Sequence, residues 1–382
     1  MTPLLLLSVA ILFRGVILVL SSTATHYIAY LGFFPYRDEL LLFHMPSLIT
    51  SLANFDGVHY VLIAKNGYAQ YTQAFFPLYP LLIRGLGSIL NHNYLVAGVV
   101  LSVSCFAVGI IYWKKFLDEA YHDSSITFWS VVFLLTYPTA FFFNVVYTEA
   151  LFFLIVAASL YYIRRNKLIV AGVFAALASF TRLAGIFLII PFGIYAWVNR
   201  HKKSYVATLY MFVAPCAGFA IYAAYLWITT GDPFYFYHSQ PAFGAHRSTH
   251  IILLPQVIYR YLKIFYTAAP NFQYYMSVYE FVMFHIVFVT LCVDLFFIFK
   301  KKRSSLFPID VGLSLFSLAN LMIPTLTGTF SAIPRYSLLS LAFYIALARL
   351  IPNTKIKTVI AVVFTIAQII TFAYFLQGYF VS

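Results

Sequence analysis

The acidic side chains of this chain are few enough to be weighed one at a time, because 382 residues carry only 11 Asp and Glu. Asp56 sits in NFDGVHY, between Phe55 and Gly57, with His59 three residues on. A carboxylate in an aromatic, half-buried setting can act as a general base. An Asp at the start of a helix can equally serve as a cap, and residue type alone favours the cap. Asp56 with His59 could begin a metal site, as could Asp38–Glu39, but two ligands without a third do not make one, so no metal is expected. Asp118, Glu119, Asp123 and Asp310 read as solvated charges of inner loops, and Asp294 as a partner of the cluster at Lys300. Asp38, Glu39, Glu149, Asp232 and Glu280 fall on the opposite half with Asp56.

The elements that must position these groups follow from composition. Apolar residues make up 63% of the chain and charged ones 9%, against roughly 25% charged in a soluble domain. A soluble globular body and a disordered chain are both excluded. The apolar runs are long and unbroken, as in Leu151–Ile163, and so unlike the alternating segments of an outer-membrane barrel. The fold class is an all-α polytopic membrane protein. Its net charge of +13 would suggest nucleic acid in a soluble chain. Here the basic residues cluster at Lys114–Lys115, Arg164–Arg165–Lys167, Arg200–Lys202–Lys203, Lys300–Arg303 and Arg349–Lys355–Lys357, as cytoplasmic loops do. The surplus is topology, with no nucleic-acid partner. Cys105, Cys216 and Cys292 lie in apolar runs without ligand spacing and read as small packing residues.

With about 20 apolar residues per crossing, the chain threads as about eleven spans. These are Leu4–Leu20, Tyr94–Trp113, Ile126–Phe143, Glu149–Ile163, Leu168–Thr181, Leu183–Val198, Tyr205–Ile228, Met276–Phe299, Leu306–Thr325, Tyr336–Leu350 and Thr358–Phe380. The N-terminal run lacks a basic leader and is interrupted by Arg14, so it is expected to stay as the first span. A long first outer segment, 22–91, is expected to form surface helices and turns. A second outer segment, 229–275, is expected to hold an interfacial amphipathic helix at Leu253–Phe265.

Helix rise then fixes depth. Glu149 precedes Arg164 by fifteen residues, and Arg182 follows Lys167 by the same number. Each stands about 22 Å above the inner charge row, and Arg335, fourteen residues before Arg349, about 21 Å. Three ionisable groups meet at one level near the outer boundary, where charges need partners or a wet cavity. A Glu149–Arg182 pair that staples two hairpins and a phosphate-binding role for Arg182 are both open at this point.

The ordered blocks FDGxHYxxIAxxGY, AFFPLYP, YPTAFFFNVVYTEALF, FTRLAG, GDPFYF and IPRYSLL resemble the PIG-V mannosyltransferases, which are polytopic glycosyltransferases of the GT-C superfamily. The resemblance implies a common membrane module over 1–228, the outer loop 229–275 and variable C-terminal helices over 276–382. It implies an inverting transferase that takes a sugar from a polyprenyl- or dolichyl-phosphate donor, with no cofactor, and hands it to a glycolipid or glycan acceptor on the non-cytoplasmic face. Asp56 maps onto the family's catalytic acid, with Phe55 where the family usually has Trp. Tyr147 and Glu149, Arg182, and Pro334, Arg335 and Tyr336 map onto further blocks. Arg182 and Arg335 are the expected phosphate cations, while Glu149, His59, Tyr79, His238 and Gln240 are expected on the substrate side. A transferase of another sugar, a lipid or sugar transporter or flippase, and a non-catalytic subunit are the competing readings. The membrane expected from chain length is a prokaryotic plasma membrane, with the endoplasmic reticulum as the alternative.

The charge clusters make a topology test. Tags at Lys202 and Lys302 are expected to report the cytoplasmic side and a tag at His246 the opposite side. Finding His246 and Lys302 on one side would overturn the threading of the second half.

Overall fold

The computed structural model describes residues 2–32, 34–201, 204–243, 250–300 and 306–381. Lys202, Lys203, His246, Arg247, Lys301, Lys302 and Arg303 lie outside them. Fourteen helices of nine residues or more are described. They are α1 Pro3–Ala24, α2 Asp56–Asn66, α3 Leu78–Ile89, α4 Tyr94–Tyr121, α5 Ser124–Thr136, α6 Glu149–Arg164, α7 Leu168–Thr181, α8 Ile189–Val198, α9 Tyr205–Thr230, α10 Leu254–Thr267, α11 Phe272–Lys300, α12 Phe307–Met322, α13 Ala342–Leu350 and α14 Thr354–Leu376. No strand occurs among the described residues. The all-helical, multi-pass architecture is as expected from composition.

Six helices are long and apolar enough to cross a bilayer: α1, α4, α9, α11, α12 with its 3₁₀ extension, and α14. The expected count of eleven is therefore not reproduced by length. The remaining five expected spans are all helical, but shorter. The run at Ile126–Phe143 breaks after Thr136, because Pro138 disfavours helical geometry at Tyr137, and resumes as a 3₁₀ turn at Ala140–Phe143. The run at Tyr336–Leu350 is a one-turn helix, Ile333–Ser337, followed by α13. Residues 22–91 form a series of short helices and turns. α10 buries Val257 and Tyr261 and leaves most of its surface exposed.

Packing runs α4 against α6, α6 against α7 and α7 against α9. α8 meets α12, α12 meets α11, and α5 lies against α13 and α14. Arg14 is turned inward from α1, its guanidinium 4.9 Å from the Phe106 ring centre and 5.7 Å from that of Phe143.

Two acidic residues depart from their sequence reading. Asp294 does not pair at Lys300. It is buried, and both of its carboxylate oxygens accept from Arg349 Nη2 at 2.7 Å. Asp310 is not a solvated loop charge. It is buried too, 2.8 Å from the other arm of Arg349, and accepts from the Tyr121 hydroxyl at 2.7 Å. Arg349 looked like one more cytoplasmic cation, yet it ties α11, α12, α13 and α4 together. Glu119 stays with the surface charge as expected, paired with Arg165 at 2.6 Å. Asp123 caps α5 through the Ser125 and Ile126 amides.

Replacing Arg349 leaves two buried carboxylates without their cation. Arg349→Met is expected to cost about 3–5 kcal/mol of stability, as breaking one side of a buried pair does. The triple change Asp294→Leu, Asp310→Leu, Arg349→Met should recover most of it. Thermal unfolding in detergent checks both; an unchanged midpoint for Arg349→Met would remove the triad as a structural tie.

Candidate active site

Four charged side chains from four distant segments meet at one end of the bundle, and each is placed by a break in regular structure. Asp56 is the first residue of α2. Phe55 before it adopts φ 59°, ψ −117°, a conformation costly for a side chain of this size. The turn is held from three sides. The Asn54 amide donates to the Phe375 carbonyl at 2.8 Å, the Tyr147 hydroxyl donates to the Asn54 carbonyl at 2.9 Å, and the Phe55 ring sits between Phe34, Phe375 and Phe380. Gly57 lets the next strand of chain come close, since a Cβ there would stand 3.2 Å from the Val146 carbonyl oxygen. The cap position belongs to Phe55, and the Asp56 carboxylate reaches Arg335, so the capping reading of Asp56 does not describe this site.

Glu149 opens α6 and is buried. Arg182 is the extended residue that ends α7, after which the chain doubles back as a 3₁₀ helix, Leu183–Leu188. That fold-back requires Gly185, whose added Cβ would stand 2.2 Å from the backbone at Ala178–Ser179. Arg335 lies in the one-turn helix. Thr139 donates to the Pro334 carbonyl at 2.6 Å, the Tyr137 and Ser337 hydroxyls lie 2.6 Å apart, and the Asn320 amide donates to the Tyr336 carbonyl at 2.8 Å. The YPTA segment is thus the seat of the PRYS segment.

The charges form one network. Arg182 Nη1 contacts Glu149 Oε1 at 2.6 Å, Arg335 Nη1 contacts Asp56 Oδ2 at 2.6 Å, and Arg335 Nε lies 3.6 Å from Glu149 Oε1. Aromatic faces cover the cations. Arg182 stands over Tyr336 at 4.8 Å, and Arg335 over Tyr147 at 5.2 Å and Tyr336 at 5.6 Å. The stapling pair Glu149–Arg182 weighed from the sequence is formed, and it is part of the same network as Asp56.

This network is one wall of a cavity of about 380 Å³. A second wall is aromatic, with Phe75, Phe76, Phe236 and Phe243. A third is aliphatic, with Ile323, Pro324 and Leu326. Such a cavity can take a ligand that is anionic at one end and apolar at the other.

Of the residues expected on the substrate side, Glu149 and Gln240 line the cavity, and His59, Tyr79 and His238 do not. His59 stands behind it, stacked on Phe75 at 5.0 Å with Phe243 edge-on at 5.2 Å. Burial holds its imidazole below the usual value, against the pull of nearby Asp56. Tyr79 is a core residue, fully buried, its hydroxyl 2.6 Å from that of Ser102. His238 is turned out to pair with Asp232 at 2.6 Å and is more than half exposed. The first of these was misplaced because helix α3 turns Tyr79 toward α4, and the second because a nearby carboxylate claims the imidazole.

The sequence reading missed Tyr60, Phe75, Phe243 and the Ile323–Thr327 turn as cavity walls. The AFFP and IPTLTG stretches, each with Pro beside apolar residues, were the available signals. Among the described residues no group of three His, Cys, Asp or Glu converges as a metal site. Asp56 and Glu149, the two carboxylates at the cavity, each face an arginine.

Residues 43–212 match the family model described as Mannosyltransferase (PIG-V). The resemblance read from the ordered blocks is borne out over this segment, which holds Asp56, Glu149 and Arg182. Arg335 comes from outside it. A curated relative, GPI mannosyltransferase 2 of Drosophila pseudoobscura pseudoobscura, is 28% identical over 32% of this chain, and the match spans 28% of that protein's length. A solved structure, the oligosaccharyltransferase of Archaeoglobus fulgidus in the apo form, is similar with a TM-score of 0.47 at 14% identity. That match covers 90% of this chain and 56% of the other.

Proposed function

We propose that the chain is an inverting glycosyltransferase, a mannosyltransferase, that moves a sugar from a polyprenyl- or dolichyl-phosphate donor to a glycolipid or glycan acceptor. The observation that carries this reading is a carboxylate and two guanidiniums on one wall of a cavity whose other walls are aromatic and aliphatic. The match of residues 43–212 to the mannosyltransferase family supports the sugar. The donor enters from the bilayer on the non-cytoplasmic side. Residues 1–228 act as the common module, 229–275 as the outer loop and 276–382 as the variable part, which here contributes Arg335.

In the reaction the acceptor hydroxyl oxygen attacks the anomeric carbon from the face opposite the phosphate. Its proton passes to Asp56 as the new C–O bond forms. The bond to the phosphate oxygen breaks, and the electron pair leaves with the lipid phosphate. Because that phosphate is already a fair leaving group, cations suffice to hold its growing charge, and no general acid is required. Arg182 and Arg335 are those cations. Arg335 has a double duty, since its guanidinium also contacts Asp56 at 2.6 Å. A bound phosphate competes for the guanidinium, which loosens the grip on Asp56. Glu149 anchors both arginines from behind. One base and no second carboxylate at the reacting carbon fits inversion by a single displacement.

Asp56→Asn keeps the shape of the side chain but cannot accept a proton. Transfer of radiolabelled mannose by purified protein is expected to fall about 10²–10⁴-fold, with donor binding kept. Near wild-type turnover would sink the assignment. Arg182→Lys keeps the charge but loses the fork, so donor affinity should drop.

Transfer is also expected to survive EDTA. The two cavity carboxylates are already neutralised by arginines, and a dication beside two guanidiniums would meet repulsion. Loss of activity in EDTA that Mg²⁺ or Mn²⁺ restores would show a metal-dependent step.

A further inference from the structure

A polar group withdrawn from water in a folded chain nearly always has a hydrogen-bond partner. Eight tyrosines are buried among the described residues. Seven of their hydroxyls bond to the protein, as Tyr79 does to Ser102 and Tyr147 to the Asn54 carbonyl. The eighth, Tyr60, is only 8% exposed and has no hydrogen-bond partner among the described residues. It lines the active cavity, and its hydroxyl is not sealed off from that space. Packing fixes the ring, which stands edge-on to Phe75 at 5.0 Å, to Tyr79 at 5.2 Å and to Tyr147 at 6.5 Å.

Tyr60 follows Asp56 by four residues on α2, so the two side chains lie on one face of the helix, one turn apart. Burial, and after it the charges of Asp56 and Glu149, hold the phenol above its ordinary value. The hydroxyl therefore keeps its proton, and it can both donate and accept. Thr148, next to Glu149, is 2% exposed and brings a second hydroxyl of this kind to the cavity, neutral and without a partner among the described residues. The guanidiniums of the same wall suit an anion. Neutral groups that donate and accept suit the hydroxyls of a sugar ring.

We infer that Tyr60 is a specificity-determining ligand of the transferred sugar, its hydroxyl holding a ring hydroxyl of the donor, with Thr148 as a second sugar contact. This rests on the transferase reading and divides the labour of the wall. Arg182 and Arg335 take the phosphate, Asp56 takes the acceptor proton, and Tyr60 takes the sugar one helical turn from the base. A donor without the matched hydroxyl leaves Tyr60 buried and unpaired, which is how a site of this kind tells one sugar from another.

The test uses the full purified chain with three probes: polyprenyl-phosphate mannose, analogues of it that each lack one ring hydroxyl, and polyprenyl phosphate with no sugar. Calorimetry reads binding, thermal unfolding reads stability, and radiolabelled product reads transfer. Tyr60→Phe should melt like wild type, because the hydroxyl it removes holds nothing in the protein. It is expected to bind the mannosylated donor about ten-fold more weakly and the sugar-free lipid phosphate as well as wild type does. In wild type, one deoxy donor should lose about ten-fold in affinity, and in Tyr60→Phe that same donor should lose nothing further. Thr148→Val should show the same separation of mannosylated from sugar-free lipid. Unchanged donor affinity in Tyr60→Phe would overturn the assignment, and so would additive losses with every deoxy donor. Weaker binding of the sugar-free lipid phosphate would also overturn it, by moving Tyr60 to the phosphate. If wild type binds the mannosylated lipid with this dependence on Tyr60 yet transfers no sugar, the transferase reading falls and the sugar contact stands.

Discussion

Two carboxylates and two guanidiniums can be buried at the end of a membrane bundle only as a closed set. Each charge alone would cost several kcal/mol to remove from water, and one missing partner leaves the others exposed to that full cost. Asp56, Glu149, Arg182 and Arg335 meet this condition with contacts of 2.6 Å along Asp56–Arg335 and Glu149–Arg182, joined at 3.6 Å. The rest of the structure can be understood as what brings these four groups together. Asp56 arrives on the first outer segment, Glu149 and Arg182 on adjacent hairpins, and Arg335 on a turn nearly 280 residues from Asp56 in sequence.

The constraint explains why so many helices are short. α5, α6, α7 and α13 each stop at or below the level of the network instead of continuing to the far boundary. The chain between them is irregular: an extended Arg182, a 3₁₀ turn after it, a bend at Tyr137–Pro138 and a left-handed Ala332 before the Arg335 turn. Irregular backbone at membrane depth is tolerable where it lines a cavity or is buried in protein, and these breaks do both. Their polar groups are taken up by side chains such as Thr139, Tyr147 and Asn320, while aromatic rings fill the space between.

The same physics acts at a second set of charges. Arg349, Asp294, Asp310 and Tyr121 form a second closed set that joins the C-terminal helices to α4. One set places two cations beside a cavity. The other surrounds a single cation with two acids. Similar residue types thus give a cavity wall in one place and a tie between helices in the other.

Composition and charge placement determined much by themselves. A chain 63% apolar with its basic residues in clusters has to fold as helices in a membrane, and the position of each helical run follows from its apolar stretch. Helix rise put Glu149 and Arg182 at one depth, because distance along a helix is fixed by geometry, whereas Arg335 joins them from a run that is broken after Ser337. Motif order pointed to Asp56. Tertiary structure alone decided partners. Depth does not fix azimuth, so no periodicity reveals that Arg335 faces Asp56, that Asp294 turns to Arg349, or that Tyr79 faces the core while Gln240 lines the cavity. It also decided what a break is used for, since Pro138 ends the helix in the run Ile126–Phe143 locally, and only the fold makes the broken segment the seat of Pro334–Ser337. Those outcomes depend on contacts between residues 23 to 279 positions apart, and local sequence carries no record of them.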